Sequence, residues 1–228
     1  MLAKKYQCKI VSIKNPVEGV YTIEFASLNG KFKYRPGQFM HLALDEYDPS
    51  GAWPDSRCFS VQTSPQNETL KITYAVKGNF TKKMEKELYS GKQLWIKLPY
   101  GDLFTQNHNF NNTVFIAGGT GVTPYLSLFT DENFAKYTNP RLYLGCRSES
   151  YNFYKKELDT ATQINSSLKC NYTYQEKDGI LDIAEILKAN EKSASFFISG
   201  PPVMITNFRK YLLENGIGEE QVKTDDWE

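Results

Sequence analysis

Two glycine-rich turns in the second half of the sequence have residue types suited to binding a phosphate-bearing ligand. The first, Gly118–Pro124 (GGTGVTP), comes directly after the apolar run Thr113–Ala117 and opens a helical pattern. Glycines in such a turn let backbone N–H groups approach a pyrophosphate, and the N-terminus of the following helix adds partial positive charge. The turn lacks the third glycine of GxGxxG and the lysine of a P-loop, so taken alone it fits a dinucleotide site and a bare tight turn equally well.

The second turn, Ser199–Pro202 (SGPP), follows the apolar run Ser195–Ser199 and precedes another helical pattern. In open α/β sheets, ligands bind beside the carboxyl ends of the strands. A helix that simply starts at a proline is the alternative. Both turns would lie at the same edge of one sheet, and this favours a ligand that they share.

The first half contains an arginine-centred motif and a further glycine turn. Arg57–Ser60 (RCFS) combines a cation that can clamp a phosphate, an aromatic ring that can stack, and a hydroxyl group. Gly78–Thr81 (GNFT) leads into a helix whose N-terminus again suits phosphate. An ordinary half-buried strand and an ordinary helix cap are the alternatives, and neither motif is specific by itself.

Composition argues against several other classes of function. The 228 residues include 27 Lys and Arg and 26 Asp and Glu, a formal charge of +1, so no global field attracts nucleic acid or an anionic membrane. The sequence contains no run of about 18 apolar residues, so it predicts no transmembrane helix. The N-terminal sequence MLAKKYQCKI lacks the apolar core of a signal peptide, so we expect a cytoplasmic protein.

Metal sites and histidine-dependent catalysis are not expected. Zinc and iron–sulfur sites need clustered ligands, but no two cysteines form a CxxC pair and the two histidines are far apart in the sequence. We therefore predict no metal site, and four buried or half-buried thiols in strands. The residues concerned are Cys8, Cys58, Cys146, Cys170, His41 and His108.

The elements that must position these motifs change character halfway along the chain. Six short runs with β-type patterning and one helical run fill about the first 100 residues, separated by turn signals. They predict a small antiparallel β-barrel. The helix is expected to be N-capped by Thr81 and ended by Gly91. The six strand predictions are Tyr6–Ile13, Val20–Ala26, Gln38–Leu44, Arg57–Thr63, Thr69–Val76 and Gln93–Leu98.

From Thr113 onwards, apolar strands alternate with helices, a pattern that predicts a parallel sheet with helices on both faces. The first of these helices is expected from about Pro124 to Ala135. We therefore predict two domains: a six-stranded barrel over residues 1–105 and an α/β domain over residues 113–228. A polar, asparagine-rich linker at residues 106–112 would join them.

The order of the motifs is more specific than any one of them. Besides the four motifs above, the chain contains Pro36–Phe39 (PGQF), Pro99–Gly101 (PYG) and Tyr143–Ser148 (YLGCRS). In these motifs, which extend over nearly all of its length, the sequence resembles the ferredoxin–NADP reductase superfamily of flavoproteins. The resemblance implies a FAD-binding barrel followed by an NAD(P)-binding domain, without an iron–sulfur domain.

For the first domain, the resemblance implies a FAD site. Arg57 would pair with the flavin pyrophosphate, Phe59 would pack against the flavin in place of the usual tyrosine, and Ser60 would hydrogen-bond near N5, the atom that accepts hydride. Tyr74–Val76 would run beside the ribityl and phosphate groups, and Gly78–Thr81 would hold the pyrophosphate. The implied FAD-binding residues are Arg57, Cys58, Phe59, Ser60, Tyr74, Ala75, Val76, Gly78, Asn79, Phe80, Thr81 and Trp227.

For the second domain, the resemblance implies a nicotinamide dinucleotide site. Gly119–Pro124 would cradle the dinucleotide, Arg147 and Ser148 would contact the adenosine ribose, and Gly200–Pro202 would bring the nicotinamide towards the flavin. Ser60, Ser199 and Trp227 are the implied catalytic residues. The implied NAD(P)-binding residues are Gly119, Thr120, Gly121, Val122, Thr123, Pro124, Arg147, Ser148, Gly200, Pro201 and Pro202.

Three positions bear on how far the family's pattern holds. Ser199 replaces the usual cysteine near the site of hydride transfer, and we expect slower or differently tuned transfer as a result. Phe59 lacks the hydroxyl of the usual tyrosine, and by the resemblance this feature is shared with the free-flavin reductases of the superfamily. Trp227 is expected to shield the flavin ring until nicotinamide displaces it, with a frayed terminus as the alternative.

The function that the resemblance implies is that of a FAD-dependent NAD(P)H oxidoreductase. Hydride would pass from nicotinamide C4 to flavin N5, and electrons would then pass to a separate acceptor, either a small carrier such as ferredoxin or flavodoxin or a small molecule. The alternatives are an NAD(P)H:free flavin reductase, which Phe59 favours and the Gly78–Thr81 turn disfavours, and a non-catalytic flavin- or nucleotide-sensing subunit, which Ser199 favours.

The choice between the two nicotinamide cofactors rests on the end of the second strand of the α/β domain. Arg147 and Ser148 could bind a 2′-phosphate, and no acidic residue ends that strand to bind a ribose 2′-OH. Glu149 follows closely enough to weaken this argument. The sequence slightly favours NADPH over NADH.

Overall fold

The chain divides into two units of structure, Met1–Asp102 and Leu103–Glu228. The computed structural model describes residues 2–225, so Trp227, expected over the flavin, lies outside the described part of the chain. Within residues 2–225 no helix is both long enough and apolar enough to cross a membrane.

The first unit is built on a six-stranded antiparallel sheet, as the alternating patterns predict. Its strands are β1 (Lys4–Val17), β2 (Val20–Ser27), β3 (Phe39–Ala43), β4 (Ser56–Ser60), β5 (Leu70–Ala75) and β6 (Gln93–Tyr100). They lie in the spatial order β4-β3-β6-β1-β2-β5. The backbone N–H of Gln62, just after β4, donates to the carbonyl oxygen of Lys71 on β5 at 2.8 Å, so the two outer strands meet and the sheet forms a barrel.

Alternate residues of the strands fill the barrel with apolar side chains. On β1, Cys8 and Ile10 are fully buried, whereas Lys9 between them is exposed. Ile23 and Phe25 on β2 are buried in the same core. Burying an apolar side chain of this size stabilises the fold by about 1.5–3 kcal/mol relative to leaving it in water. The two-residue period therefore decides which face of each strand points inwards.

The helix of the first unit, α1 (Asn79–Glu87), begins three residues earlier than predicted. Thr81, predicted as its N-cap, is in fact the third helical residue. The Thr81 Oγ1 accepts hydrogen bonds from the backbone N–H groups of Lys77 at 2.9 Å and Gly78 at 3.1 Å. The prediction was wrong because a hydroxyl at this position can also reach back over the helix start, where Gly78 has no side chain. The helix also ends four residues before Gly91.

The second unit contains a five-stranded parallel sheet with helices on both faces, as predicted. Its strands are β7 (Thr113–Gly118), β8 (Arg141–Cys146), β9 (Lys169–Tyr174), β10 (Ser195–Ser199) and β11 (Val222–Thr224). Its helices are α2 (Thr123–Phe129), α3 (Lys155–Ile164), α4 (Gln175–Asp178), α5 (Ile183–Lys188) and α6 (Pro202–Glu214). The strands lie in the spatial order β11-β10-β7-β8-β9.

Neighbouring residues of β7 face two separate apolar cores, which is why this strand is a continuous apolar run. Phe115 and Ala117 pack in the core that contains α2 and α3. Val114 and Ile116 pack in the core that contains α5 and α6. All four side chains are fully buried, as expected for a parallel strand covered on both faces.

The helix predicted from Pro124 to Ala135 is interrupted. The helix α2 ends at Phe129, and a separate 3₁₀ turn follows at Glu132–Lys136. Between them, the Asp131 carboxylate accepts a hydrogen bond from the backbone N–H of Asn133 at 2.9 Å. An aspartate that caps a new turn in this way competes with continuation of the preceding helix.

The segment predicted as a linker, residues 106–112, lies within the second unit. The division between the units falls before Leu103, and residues 106–112 are hydrogen-bonded to other residues of the second unit. The backbone N–H of Asn109 donates to Ser195 Oγ at 2.8 Å, and the Asn112 side chain donates to Glu191 Oε2 at 3.0 Å. Asparagines that suggested a solvated linker thus serve as tertiary hydrogen-bonding groups.

His108 anchors this segment through both of its ring nitrogens. Its Nδ1 lies 2.7 Å from the carbonyl oxygen of Gln106, and its Nε2 lies 2.7 Å from the hydroxyl of Tyr137. A carbonyl only accepts, so Nδ1 carries the proton of a neutral ring and Nε2 accepts from Tyr137. Burial, with the charge of Lys223 adding to it, lowers the pKa of His108, while the bond to Gln106 opposes this shift.

We predict that protonating His108 destabilises the native protein. Its pKa is lower in the folded chain than in the unfolded one, so the unfolded chain takes up a proton first as the pH falls. The free energy of unfolding should therefore be highest above about pH 7 and decrease as the pH falls through the ordinary histidine value of about 6.5.

Burial also lowers the pKa of His41, the other histidine, so two ring signals must be assigned in an NMR titration. The variant His108→Gln identifies one of them and should flatten part of the decrease in stability measured by urea unfolding. A His108 signal that titrates at or above the ordinary value would contradict the prediction.

Candidate functional site

The two glycine-rich turns of the second unit lie side by side at one edge of its sheet, as the sequence predicts. Strands β7 and β10 are hydrogen-bonded neighbours, with Ala117 paired to Ser199 at their carboxyl ends. The chain continues from β7 to one side of the sheet through β8 and β9, and β10 and β11 lie on the other side. The turns therefore follow the neighbouring strands β7 and β10 at the point where the strand order reverses, which is where open α/β sheets bind ligands.

Glycine is required in these turns because their backbones touch. A Cβ atom added to Gly121 would lie 2.6 Å from the N and Cα atoms of Gly200 and from the carbonyl oxygen of Ser199. One added to Gly118 would lie 2.9 Å from Pro201 Cδ and from Met204 Sδ. Both distances are shorter than real Cβ contacts, so each side chain would force the two turns apart.

Only part of the first turn is accessible to a ligand. Gly119 has a positive φ of +56° and open space around its Cα, and Thr120 is half-buried. By contrast, Val122, Thr123 and Pro124 are buried and form the packed start of α2. Of the residues predicted to cradle a dinucleotide here, the first ones face outwards and the last ones hold the helix in place.

Ser199, the residue in the position of the usual cysteine, is buried and hydrogen-bonded to a carboxylate. Its Oγ donates to Asp225 Oδ2 at 3.0 Å, and the backbone N–H of Asp225 donates to the carbonyl oxygen of Ile198 at 3.0 Å. Burial raises the pKa of Tyr125, and the negative charge of Asp225 adds to this shift. The sequence argument selected Trp227 in this terminal segment and did not select Asp225.

Arg147 and Ser148 follow the carboxyl end of β8, at the same edge of the sheet. The Arg147 guanidinium lies over the ring of Tyr151, 5.1 Å from its centroid, and its Nη1 donates to the Tyr151 hydroxyl at 3.3 Å. Among residues 2–225 no carboxylate forms a recorded ion pair with Arg147, whereas Lys177 pairs with Glu149 at 3.5 Å. The site therefore offers one cation that is stacked on an aromatic ring and not neutralised.

In the first unit, the predicted flavin residues form an aromatic cluster with an arginine at its side. Phe59 is buried and lies 5.8 Å from Tyr74 and 6.4 Å from Phe80, measured between ring centroids. The Arg57 guanidinium lies 5.3 Å from the Phe80 centroid, and its Nη1 is 2.6 Å from Asp55 Oδ1. Sequence reasoning missed Asp55, which is separated from Arg57 by one residue.

Side chains from β2 and α1 support β5, the strand beside this cluster. Tyr74 stacks on Tyr21, whose hydroxyl donates to Glu85 Oε1 at 2.9 Å, and burial raises the pKa of Tyr74. Ala75 and Val76 are half-buried and continue this edge, while Ser60 is buried. The structure thus brings Phe59, Tyr74 and Phe80 into contact, as the FAD prediction requires of residues from three different elements.

Cys58 belongs to the same motif but faces a histidine. Its Sγ lies 3.6 Å from His41 Nε2, and partial burial raises the pKa of the thiol, so it stays protonated at neutral pH. In the described residues no three His, Cys, Asp or Glu side chains come together in a way that could hold a metal ion.

We predict that Gly121→Ala destabilises the second unit by about 1–3 kcal/mol, because its Cβ would overlap the backbone of the neighbouring turn. Gly119→Asn is the matched control: asparagine tolerates a positive φ and the surrounding space is open. Urea unfolding of the two variants measures the difference. Equal stability of the two would show that the turns do not depend on this contact.

Most of the second unit matches a known family of domains. Residues 115–210 match the oxidoreductase NAD-binding domain family. The reductase component of propane 2-monooxygenase from Mycolicibacterium smegmatis is 24% identical over 218 residues, covering 86% of this chain and 60% of that protein. Human dual oxidase 2 is 27% identical over 142 residues, covering 56% of this chain and 8% of the oxidase. The chain thus spans less than two thirds of the length of these relatives.

Solved structures share the fold over almost the whole chain. Flavohemoglobin from Malassezia yamatoensis, crystallised with FAD and heme, has a TM-score of 0.80 at 21% identity and covers 97% of this chain and 59% of its own. Ferredoxin–NADP+ reductase from Neisseria gonorrhoeae, crystallised with FAD and NADP, has a TM-score of 0.79 at 17% identity and covers 97% of this chain and 98% of its own. Residues 115–210 thus match the oxidoreductase NAD-binding domain family, and the chain as a whole has the ferredoxin–NADP reductase-like fold.

Proposed function

We propose that this chain is a FAD-dependent NAD(P)H oxidoreductase that passes hydride from nicotinamide C4 to flavin N5 and then electrons to a separate acceptor. The observation that carries the proposal is the pair of glycine turns packed together at the strand-order reversal of the second unit. That site lies within the segment that matches an oxidoreductase NAD-binding domain.

The residues of the first unit fit FAD. Arg57 is exposed beside the N-terminus of α1, and Gly78, the N-cap of that helix, has open space where a side chain would stand. A pyrophosphate could therefore meet a guanidinium and helix N–H groups together. Phe59 and Phe80 would present apolar ring surface, and Ser60 a hydroxyl. Bound FAD would supply the chemistry that side chains lack, since it accepts two electrons together and can release them singly.

The residues of the second unit fit a nicotinamide dinucleotide. Gly119 and Thr120 would offer accessible backbone groups to the pyrophosphate, and Gly200–Pro202 would support the nicotinamide end. Ser199, held by Asp225, would present a fixed polar pair beneath this end in place of a thiol. Their role is to orient the dinucleotide and to limit its motion, and such orientation is a large part of what a protein contributes to a hydride transfer.

The electron acceptor proposed is a small carrier protein such as a ferredoxin or flavodoxin. Charge is distributed unevenly, which the overall value of +1 conceals. Residues 1–102 contain 15 Lys and Arg against 10 Asp and Glu, a formal charge of +5, whereas residues 103–228 contain 12 against 16, a charge of −4. A basic first unit favours encounter with an acidic partner, and this attraction should weaken with salt.

A free flavin reductase is the second candidate, because Asp55 already pairs with the arginine that would bind the flavin pyrophosphate. A reductase that releases its flavin needs only a weak grip on the phosphates. Phe59 in place of tyrosine is consistent with this candidate.

The proposed reaction is tested by anaerobic mixing of FAD-reconstituted protein with NADPH or NADH. We expect the visible absorbance of the flavin to disappear, faster with NADPH, and to return when oxidised flavodoxin is added. A preparation that holds no FAD but reduces added riboflavin would favour the free flavin reductase. Binding of the nucleotide without loss of absorbance would contradict both and indicate a sensing subunit.

We further predict that Arg147→Ala raises KM for NADPH by about tenfold or more while leaving KM for NADH nearly unchanged. A charge-assisted hydrogen bond to a 2′-phosphate is worth about 1.5–3 kcal/mol, and NADH has no such phosphate. Lys155→Ala, which removes an exposed cation paired with Asp159 on α3, is the control for a change in net charge. Equal effects on the two cofactors would show that Arg147 does not select between them.

A further inference from the structure

We propose that two carboxylates of the loop between β3 and β4 (residues 44–55) act as built-in competitors for the flavin phosphates. Asp55 pairs with Arg57, which lies beside the start of α1, and Asp45 pairs with Lys83 in the second turn of that helix. The inference rests on the proposed function, because it assumes that this part of the first unit receives the FAD pyrophosphate.

Two separate ion pairs tie the acidic loop to this region. Asp55 Oδ1 lies 2.6 Å from Arg57 Nη1, and Asp45 Oδ1 lies 2.7 Å from Lys83 Nζ in the second turn of α1. The hydrogen bond that Lys83 donates to Asp45 raises the pKa of the lysine, and the charges of Asp45, Glu87 and Asp55 add to this shift, so both loop carboxylates act on the same lysine. The two aspartates therefore approach the cations from one loop.

Aromatic packing and hydrogen bonds hold the loop in position beside these cations. Tyr47 is buried, its ring centroid lies 5.3 Å from those of Trp53 and Trp95, and its hydroxyl accepts a hydrogen bond from Lys5. Trp53 Nε1 donates to Ser56 Oγ at 3.1 Å. These contacts hold the loop between Asp45 and Asp55 against the barrel. A held backbone lowers the conformational entropy that the two aspartates lose when they pair.

The strength of the competition follows from exposure. Each pair is solvent-exposed, and an exposed ion pair is weak, so a pyrophosphate that carries two negative charges can displace a carboxylate from Arg57. The displaced carboxylate then remains close to the bound phosphates and repels them. Both effects weaken binding, and both act only on flavins that carry phosphate.

The consequence is a flavin that exchanges with solution more readily than one held by an unopposed arginine. FAD and FMN carry phosphate, whereas riboflavin has the same ring and none. Comparing the three flavins therefore separates the competition from any general change in the pocket.

The test measures the dissociation constants of FAD, FMN and riboflavin by equilibrium dialysis for the wild type, Asp55→Asn and the double variant Asp45→Asn/Asp55→Asn. Asparagine keeps the size of the side chain and removes its charge. We expect FAD to bind about threefold to tenfold more tightly to Asp55→Asn, and more tightly still to the double variant, with riboflavin unchanged. The gain should shrink at about 0.5 M salt, where exposed charges are screened.

Asp159→Asn is the matched control, since it removes an exposed carboxylate paired with Lys155 in the second unit. Its FAD affinity should equal that of the wild type. Unchanged or weaker FAD binding by Asp55→Asn, with circular dichroism like that of the wild type, would overturn the inference, and so would equal tightening of riboflavin. If neither the wild type nor any variant binds a flavin, the proposed function fails together with the inference.

Discussion

The contact between the backbones of Gly121 and Gly200 is the constraint on which the second unit's site depends. Two chain segments that are about 80 residues apart in sequence approach until no Cβ fits between them. This approach requires β7 and β10 to be neighbours, with Ala117 opposite Ser199, and that pairing in turn requires both strands to be buried between two helical layers. The geometry of the site therefore depends on the packing of the sheet, and the glycines are compatible with both.

The same division of labour explains why a motif that looks like a ligand cradle is only partly available to a ligand. Gly118 and Gly121 allow the two turns to pack against each other, and Val122–Pro124 form the buried start of α2. Gly119 keeps open space around it. A glycine-rich run is thus a mixture of positions that fold the site and positions that can face a ligand. Sequence alone does not separate the two, because both need the same residue type.

Sequence periodicity was sufficient to predict the barrel, the parallel sheet and the adjacent turns, because each depends on patterns within one element. It was insufficient where a side chain chooses between local and distant partners. Thr81 was predicted as the N-cap but is the third residue of its helix, and Asp131 caps a new turn where the pattern predicts a continuous helix. The asparagines of residues 106–112 form hydrogen bonds with distant residues of the second unit. The pairing of Asp55 with Arg57 was also missed, because the long side chain of an exposed arginine can reach several neighbouring carboxylates and the sequence does not show which one it pairs with.

The formal charge is distributed unevenly between the two units, and this distribution bears on the proposed function. A sum near zero argued against nucleic acid, but it conceals a first unit of +5 and a second of −4. Within the basic unit, two of the cations at α1, Arg57 and Lys83, are paired with carboxylates of one acidic loop. A phosphate that binds there exchanges one anion for another and gains only the difference between them. If the FAD pyrophosphate binds at Arg57, as proposed, the affinity for the flavin therefore depends on the carboxylate two residues away as well as on the arginine.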